Sequence, residues 1–377
     1  MLGTGRLLTL SKQVCSLPTA SFHEHRVLGF LREHAARLGL PAAQDRWGNL
    51  HVRYRHRRRG PAWVLIAHAD HPGFVITHVA GQRCRARWFG RVAPAYFRGG
   101  RVRVHPVGAR SVGGRITRIR QSGTTARVET LWIDAAGALA PGDLGTWDLP
   151  AFRRVGNAII TRAADDLIGC ALLAATLESL VRAEASAAVT VVYTRAEEAG
   201  LLGATALARA AIIPGDHPIL SIETSRELPC ARRGAGPVVR LGDKIAACDP
   251  GIQQLILAAA AELSARHPGF RVQRCLMDGG TCEASSFAAF GYRTAGLAIP
   301  LANYHNMGPR GVAAERIDLR DLRAALALLF ALATRRRRPG EGERACDPAR
   351  LVAALARAEA QLRASVSAAP VPWDEAR

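Results

Sequence analysis

The run Trp63-Val64-Leu65-Ile66-Ala67 is apolar without a break and closes on His68-Ala69-Asp70. A strand that alternates polar and apolar residues can leave one face to water. One that is apolar throughout must be covered on both faces. This run therefore calls for a sheet with helices on either side. Downstream, helix-like stretches over 166–181, 201–211, 253–265 and 319–333 alternate with strand-like ones over 189–194, 219–223, 270–274 and 294–298. That alternation is the layout of an α/β fold. Residues 4 to 38 read as helices, with Ser21 and Glu24 spaced as a capping box and Gly39 as a stop signal.

Between about 80 and 150 the texture changes. Arg101-Val102-Arg103-Val104 and Thr130-Leu131-Trp132-Ile133 read as strands, glycines and prolines punctuate them, and no long helical period occurs. We expect a small β-barrel-like domain over 79–151, inserted into a larger domain of 1–78 and 152–336 whose mixed sheet lies between helices. The run Arg335–Arg338 reads as a solvated helix C-terminus at the end of the folded core. Residues 337–377 form an extension, with one further helix over 347–365.

A formal net charge of +20 could attract phosphate. The lysines, however, are only Lys12 and Lys244, and the arginines are scattered among Ala and Gly. Biased residue usage accounts for that pattern as well as a partner does, and no nucleic-acid partner is expected. None of the eight cysteines forms a Cys-x-x-Cys pair, so zinc-finger and thioredoxin readings fall away. Reduced thiols and a cytoplasmic setting are expected. The opening residues lack the features of a secretory leader, and no apolar run approaches a membrane span.

Five polar clusters fall at or beside the ends of strands, the edge where open α/β sheets bind ligands. His68 can ligate a metal while Asp70 orients its ring. Asp165-Asp166 opens a helix, where the pair reads either as an N-cap with a first-turn acid or as a carboxylate that bridges two cations. Glu197-Glu198 follows the strand ending at Thr194. Neighbouring side chains diverge, so one glutamate can ligate while the other takes a proton from metal-activated water. Glu223 ends an apolar strand and needs a partner there. His305 stands in Asn303-Tyr304-His305-Asn306. Each alone has an ordinary structural reading, and His23, His25, His51, His56 and His105 are assigned to that class. Together, two histidines and three carboxylates match the donor set of a dinuclear site suited to zinc, with cobalt or manganese as substitutes.

The order of these motifs resembles the M42 family of metallo-aminopeptidases, within the clan of dinuclear zinc exopeptidases that includes M20 and M28 enzymes. Pro18-Thr19-Ala20-Ser21 with Glu24, Asp45-Arg46-Trp47-Gly48-Asn49, His68-Ala69-Asp70-His71-Pro72-Gly73-Phe74, Asp165-Asp166-Leu167-Ile168-Gly169, Glu197-Glu198-Ala199-Gly200 and Gly279-Gly280-Thr281 follow in the family's order, and His305 closes the set. The resemblance spans roughly 15 to 335 and includes an inserted β domain at the same place. It implies that His68 and Glu223 hold one metal ion, Glu198 and His305 the other, and that Asp165 bridges them. Glu197 becomes the general base and Asp70 the partner of His68. A cis peptide between Asp165 and Asp166, a homo-oligomer built through the inserted domain, and a peptide or small-amide substrate are further implications. Three positions depart from the family: Leu167 stands where Arg is usual, Glu223 where Asp is usual, and Cys282-Glu283 where Asp follows Thr. Two other readings remain: an M20-like amidohydrolase of N-acyl amino acids, and a non-catalytic basic scaffold or nucleic-acid binder.

Overall fold

The computed structural model describes residues 1–336 other than 60 and 126, together with 352 and 356. The helix expected over 347–365 lies, but for those two positions, outside the described residues. Helices α1 (Thr4–Cys15) and α2 (His25–Arg37) precede strands β1 (Ala42–Gln44), β2 (Leu50–His56) and β3 (Trp63–His68). Six strands follow, β4 (Gly73–Ala80), β5 (Arg83–Phe89), β6 (Arg101–His105), β7 (Val112–Gln121), β8 (Val128–Ala135) and β9 (Leu144–Trp147). The short β10 (Arg153–Val155) and β11 (Ala158–Thr161) lead to α3 (Leu167–Arg182), β12 (Ala187–Thr194), α4 (Leu202–Arg209), β13 (Ile219–Arg226) and β14 (Val238–Asp243). Next come α5 (Pro250–Arg266), β15 (Gln273–Met277), α6 (Glu283–Ala288) and β16 (Thr294–Leu301). Strands β17 (Met307–Gly308), β18 (Gly311–Val312) and β19 (Glu315–Asp318) precede α7 (Leu319–Thr334).

Eight strands form one mixed sheet in the order β1-β2-β12-β3-β13-β16-β14-β15. Strands β12, β3, β13 and β16 run parallel at its centre, with β2 and β14 antiparallel beside them. Every residue of β3 is buried. Its Leu65 and Ala67 join a core with α1, α2, α3, α5 and α7, while Val64 and Ile66 join a second core with α4 and α6. Helix α3 is buried from Leu167 to Leu180, as a helix apolar all round must be. The α/β reading, a mixed sheet between helices, is the fold observed.

Strands β4 to β9 close into a barrel in the order β4-β5-β8-β7-β6-β9. Phe74, Trp88, Phe97, Ile116, Leu131 and Trp147 fill it, and the Trp88 and Phe97 rings meet edge to face at 4.8 Å. The alternation that suggested strands has a direct cause here. On β5, Cys84, Ala86 and Trp88 turn inward while Arg83, Arg85 and Arg87 turn to solvent. The barrel leaves the main layer directly after His71-Pro72 and the chain returns to it before Asp165.

Strand β14 was not expected, and β15 begins at Gln273 rather than Phe270. In β14 a buried Arg240 and a terminal Gly-Asp interrupt the apolar pattern, so pairing with β16 defines the strand more than composition does. The capping box does not form: α2 starts at His25 with no side-chain cap, and Ser21 and Glu24 are engaged elsewhere. Reduced thiols were expected throughout, yet Cys230 and Cys275 form a disulfide with their Cα atoms 5.5 Å apart. The loop after β13 folds back over β15 and brings these residues together across 45 positions of sequence. Cys15, Cys84, Cys170, Cys248 and Cys282 are free. Among the described residues no helix is long and apolar enough to cross a membrane.

Gly145 on β9 lies against the Phe74 ring inside the barrel, where a methyl group would overlap it. Gly145→Ala is expected to cost about 1–3 kcal/mol through overpacking, read as a lower midpoint in urea unfolding. An unchanged midpoint would show that the barrel interior gives way at this point.

Candidate metal centre

Parallel strands deliver the functional side chains to one edge. His68 ends β3, Glu223 lies on β13 beside it, Glu197 and Glu198 follow β12, and His305 follows β16. Asp165 reaches the same place from the N-terminus of α3. The structure thus brings together all the residues singled out in the sequence as metal donors, with Glu197 and Asp70 beside them.

The Nε2 atom of His68 faces Asp165 Oδ1 at 3.3 Å, Glu223 Oε1 at 3.8 Å and Glu197 Oε2 at 3.9 Å. The Nε2 atom of His305 faces Glu198 Oε1 at 3.0 Å and Asp165 Oδ2 at 3.5 Å. One carboxylate therefore turns an oxygen to each imidazole. The tautomers follow from the opposite ring nitrogens. His68 Nδ1 lies 3.2 Å from the Asp70 carbonyl and 3.3 Å from its carboxylate, and His305 Nδ1 lies 2.7 Å from the Arg91 carbonyl. Each Nδ1 faces a carbonyl and so donates, while each Nε2 points into the cluster. Against the effect of burial, the carboxylates around it (Glu197 at His68, Glu198 at His305) raise both rings well above the usual histidine range. A cation binding there would take the place of a proton on Nε2.

His68 Nε2, Asp165 Oδ1, Glu198 Oε1 and Glu223 Oε2 are buried without a hydrogen-bond partner among the described residues. Two donor groups, His68-Asp165-Glu223 and Asp165-Glu198-His305, each have their atoms within 4.8 Å of one another. Buried acceptors without donors are costly unless a cation meets them. Imidazole nitrogens and carboxylate oxygens in these groups of three suit a divalent ion with open positions left for water or substrate. The electrostatics agree. Burial and then the neighbouring carboxylates push Glu197 well above the usual carboxylate range, despite the opposing His68. Burial also raises Glu198 and Glu223. In Asp165, burial is outweighed by His305 and His68, which hold the carboxyl below the ordinary range.

The adjacent acids divide their tasks. Asp166 Oδ1 accepts from Gly169 N at 3.2 Å and from Thr224 Oγ1 at 2.8 Å, so it caps α3 and ties it to β13. Asp165 is left to face the histidines across a cis peptide bond. Asp70 organises the opposite side. It faces the His68 ring, accepts from Ser21 Oγ at 2.6 Å, and accepts from the amides of Glu197 at 3.0 Å and Glu198 at 3.1 Å.

Three positioning roles escaped the sequence reading, which quoted Glu24 and His71 only within motifs and passed over Glu315. Glu24 accepts from the Ala196 amide at 3.0 Å and from Arg195 Nε at 2.7 Å, fixing the turn that carries Glu197, with Ala196 at φ 53°. Glu315, buried on β19, accepts from the amides of Ala164 at 2.6 Å, Asp165 at 3.0 Å and His305 at 2.8 Å. Burial pushes its carboxyl up to about 7. His71 is held between the Asp165 carbonyl and Asn306 Oδ1, and Asn306 Nδ2 donates to Arg162 O at 2.8 Å. Spacing does not reveal these roles, because the partners, backbone groups and side chains alike, lie in distant segments.

The departures fall in different places. Leu167 is packed in the apolar core. Glu223 meets the cluster with its longer side chain. Glu283 is fully buried at the start of α6, and burial raises its carboxyl to about 8. A cavity of about 580 Å³ opens beside Glu223, lined among others by Arg226, Arg240, Thr281 and Tyr304.

The sequence model of one family, described as M42 glutamyl aminopeptidase, matches residues 48–328. Among solved structures, an aminopeptidase from the archaeon Desulfurococcus kamchatkensis superposes with a TM-score of 0.73 at 23% identity, covering 88% of this chain and 95% of that one. A TET aminopeptidase from a marine-sediment Thaumarchaeota archaeon gives 0.74 at 19% identity, with 88% and 96% covered. The Pyrococcus horikoshii TET1 peptidase, which can assemble into a tetrahedron or a large octahedral shell, gives 0.70 at 24% identity, with 88% and 100% covered. These likenesses establish a shared fold.

Removing the Glu315 carboxylate would strand three buried amide donors. Glu315→Ala is expected to lower stability by about 3 kcal/mol or more, measured by denaturant unfolding, with Glu315→Gln losing less. Equal stability of Glu315→Ala and the parent would mean that solvent replaces the carboxylate.

Proposed function

The chain belongs to the M42 peptidase family, a family of metal-dependent hydrolases, and from that premise we propose that it removes N-terminal residues from peptides with the help of two divalent metal ions. The observation that carries this reading is the pair of Nε2 atoms turned toward the two oxygens of Asp165. His68 and Glu223 would hold one ion, His305 and Glu198 the other, and Asp165 would join them. Zinc fits the donor types, and cobalt or manganese would substitute. Bound there, the ions would polarise the scissile carbonyl and acidify the attacking water.

The protein's own groups do the rest. Glu197 stands beside the donor groups without belonging to either. Burial and its carboxylate neighbours raise its proton affinity. With bound cations favouring the ionised form, the carboxylate would take a proton from the attacking water and pass it to the departing amine. Asp70 fixes the His68 ring and the amides of the Glu197-Glu198 turn together. The cavity at Glu223 would receive the first side chain of the substrate, and Arg226 and Arg240 on its wall favour Asp or Glu there. The domains read as 1–78 with 152–336 for catalysis and 79–151 for subunit contacts, in a homo-oligomer like the assemblies of the relatives.

Glu197→Gln is expected to retain metal, measured by elemental analysis, and to lose about 10²–10⁴-fold in kcat on aminoacyl substrates. Hydrolysis near the parent rate would remove Glu197 from the proton-transfer role. A panel of aminoacyl and N-acyl substrates separates peptidase from deacylase activity. Asp70→Asn is expected to weaken metal binding by about 10–100-fold, followed by competition with a chromogenic chelator.

A further inference from the structure

The barrel carries an arginine face that the hydrolytic reading leaves unused. Strand β8 lies between β5 and β7, and its register sets rows across them: Arg85, Trp132 and Arg118, then Arg87, Thr130 and Arg120. Arg118 stacks over Trp132 at 4.7 Å, and Arg87 lies 5.3 Å above the Phe89 ring. A cavity of about 780 Å³ runs along this face and reaches Glu198; Arg85, Arg87, Arg120, Arg127 and Phe22 are among its walls. Glu129 also lines it, yet no described carboxylate forms a salt bridge with these four arginines.

One cavity is lined by Glu223, from the first donor group, and the other by Glu198, from the second. Both include Thr125 and Arg127, from the hairpin between β7 and β8. A chain whose first residue occupied the Glu223 side would continue past Glu198 onto the arginine face. We propose that this face binds the part of a peptide substrate that follows the cleaved bond, and that it selects acidic residues there. The proposal rests on the peptidase reading. It adds a second site of selection, made of exposed charges with aromatic rings beneath, that recognises carboxylates several residues downstream.

Exposed ion pairs are individually weak, so the effect comes from several together. Two peptides test it. Both begin with the same Glu-Ala, and the next four residues are either all Ala or all Asp and Glu. The acidic peptide is expected to have about tenfold higher kcat/KM at low ionic strength, mostly through KM. The advantage should shrink toward one at about 0.5 M NaCl, where screening acts within a few ångströms. Replacing Arg85, Arg87 and Arg120 by Ala should bring the ratio of the two peptides close to one, and replacing all three by Lys should keep it. If neither peptide nor any aminoacyl amide is hydrolysed, the peptidase reading itself fails. If both peptides are cleaved equally well, only this proposal fails. It is also overturned if the alanine variant changes particle mass as it loses the ratio, or if the parent binds a single-stranded oligonucleotide more tightly than the acidic peptide in the same buffer.

Discussion

Asp165 is the group on which the centre turns. Its two oxygens face two imidazole nitrogens, within a nest of further carboxylates. Among the described residues no Arg or Lys forms a salt bridge with Asp165, Glu197, Glu198 or Glu223. Gathering so many carboxyl groups in a buried place is costly: burial raises Glu197, Glu198 and Glu223 toward their protonated forms, although Arg240 near Glu223 opposes this. The cluster makes physical sense when divalent ions supply the missing charge, and the family's metal dependence agrees with it.

Holding such a cluster before any cation arrives requires a frame. Glu315 gathers the amides of Ala164, Asp165 and His305, joining the start of α3 to the loop after β16. Asp70 joins the end of β3 to the turn after β12 and to Ser21. Glu24 fixes that turn from the side of α2. The carboxylates of the frame spend their oxygens on backbone amides and so resist rotation. Those of the cluster keep oxygens free. The same residue type does opposite work according to whether amide donors are near.

The barrel takes part in the centre as well as standing beside it. The Arg91 carbonyl, in the segment between β5 and β6, fixes the His305 tautomer, and the β7–β8 hairpin borders both cavities. An insertion between His68 and Asp165 in sequence therefore returns to enclose the residues that flank it.

Much of this was legible along the chain. An unbroken apolar strand demands cover on two faces, and polar residues placed just past such strands must gather along one edge of a parallel sheet. His68, Glu197, Glu198, Glu223 and His305 follow from that rule, and the order of motifs added Asp165 as the bridge. Periodicity and covalent order are local, so they can be read without coordinates. Pairing between distant segments is not local. Ser21 and Glu24 have the spacing of a helix cap but spend their oxygens on Asp70 and the Ala196 turn. Glu315 stands in an ordinary alternating strand, Cys230 meets Cys275 only because a loop doubles back, and Arg240 hides the strand that carries it. In each case the partner is a backbone group or side chain far off in sequence, and the choice between local and distant partners is settled only when the layers pack.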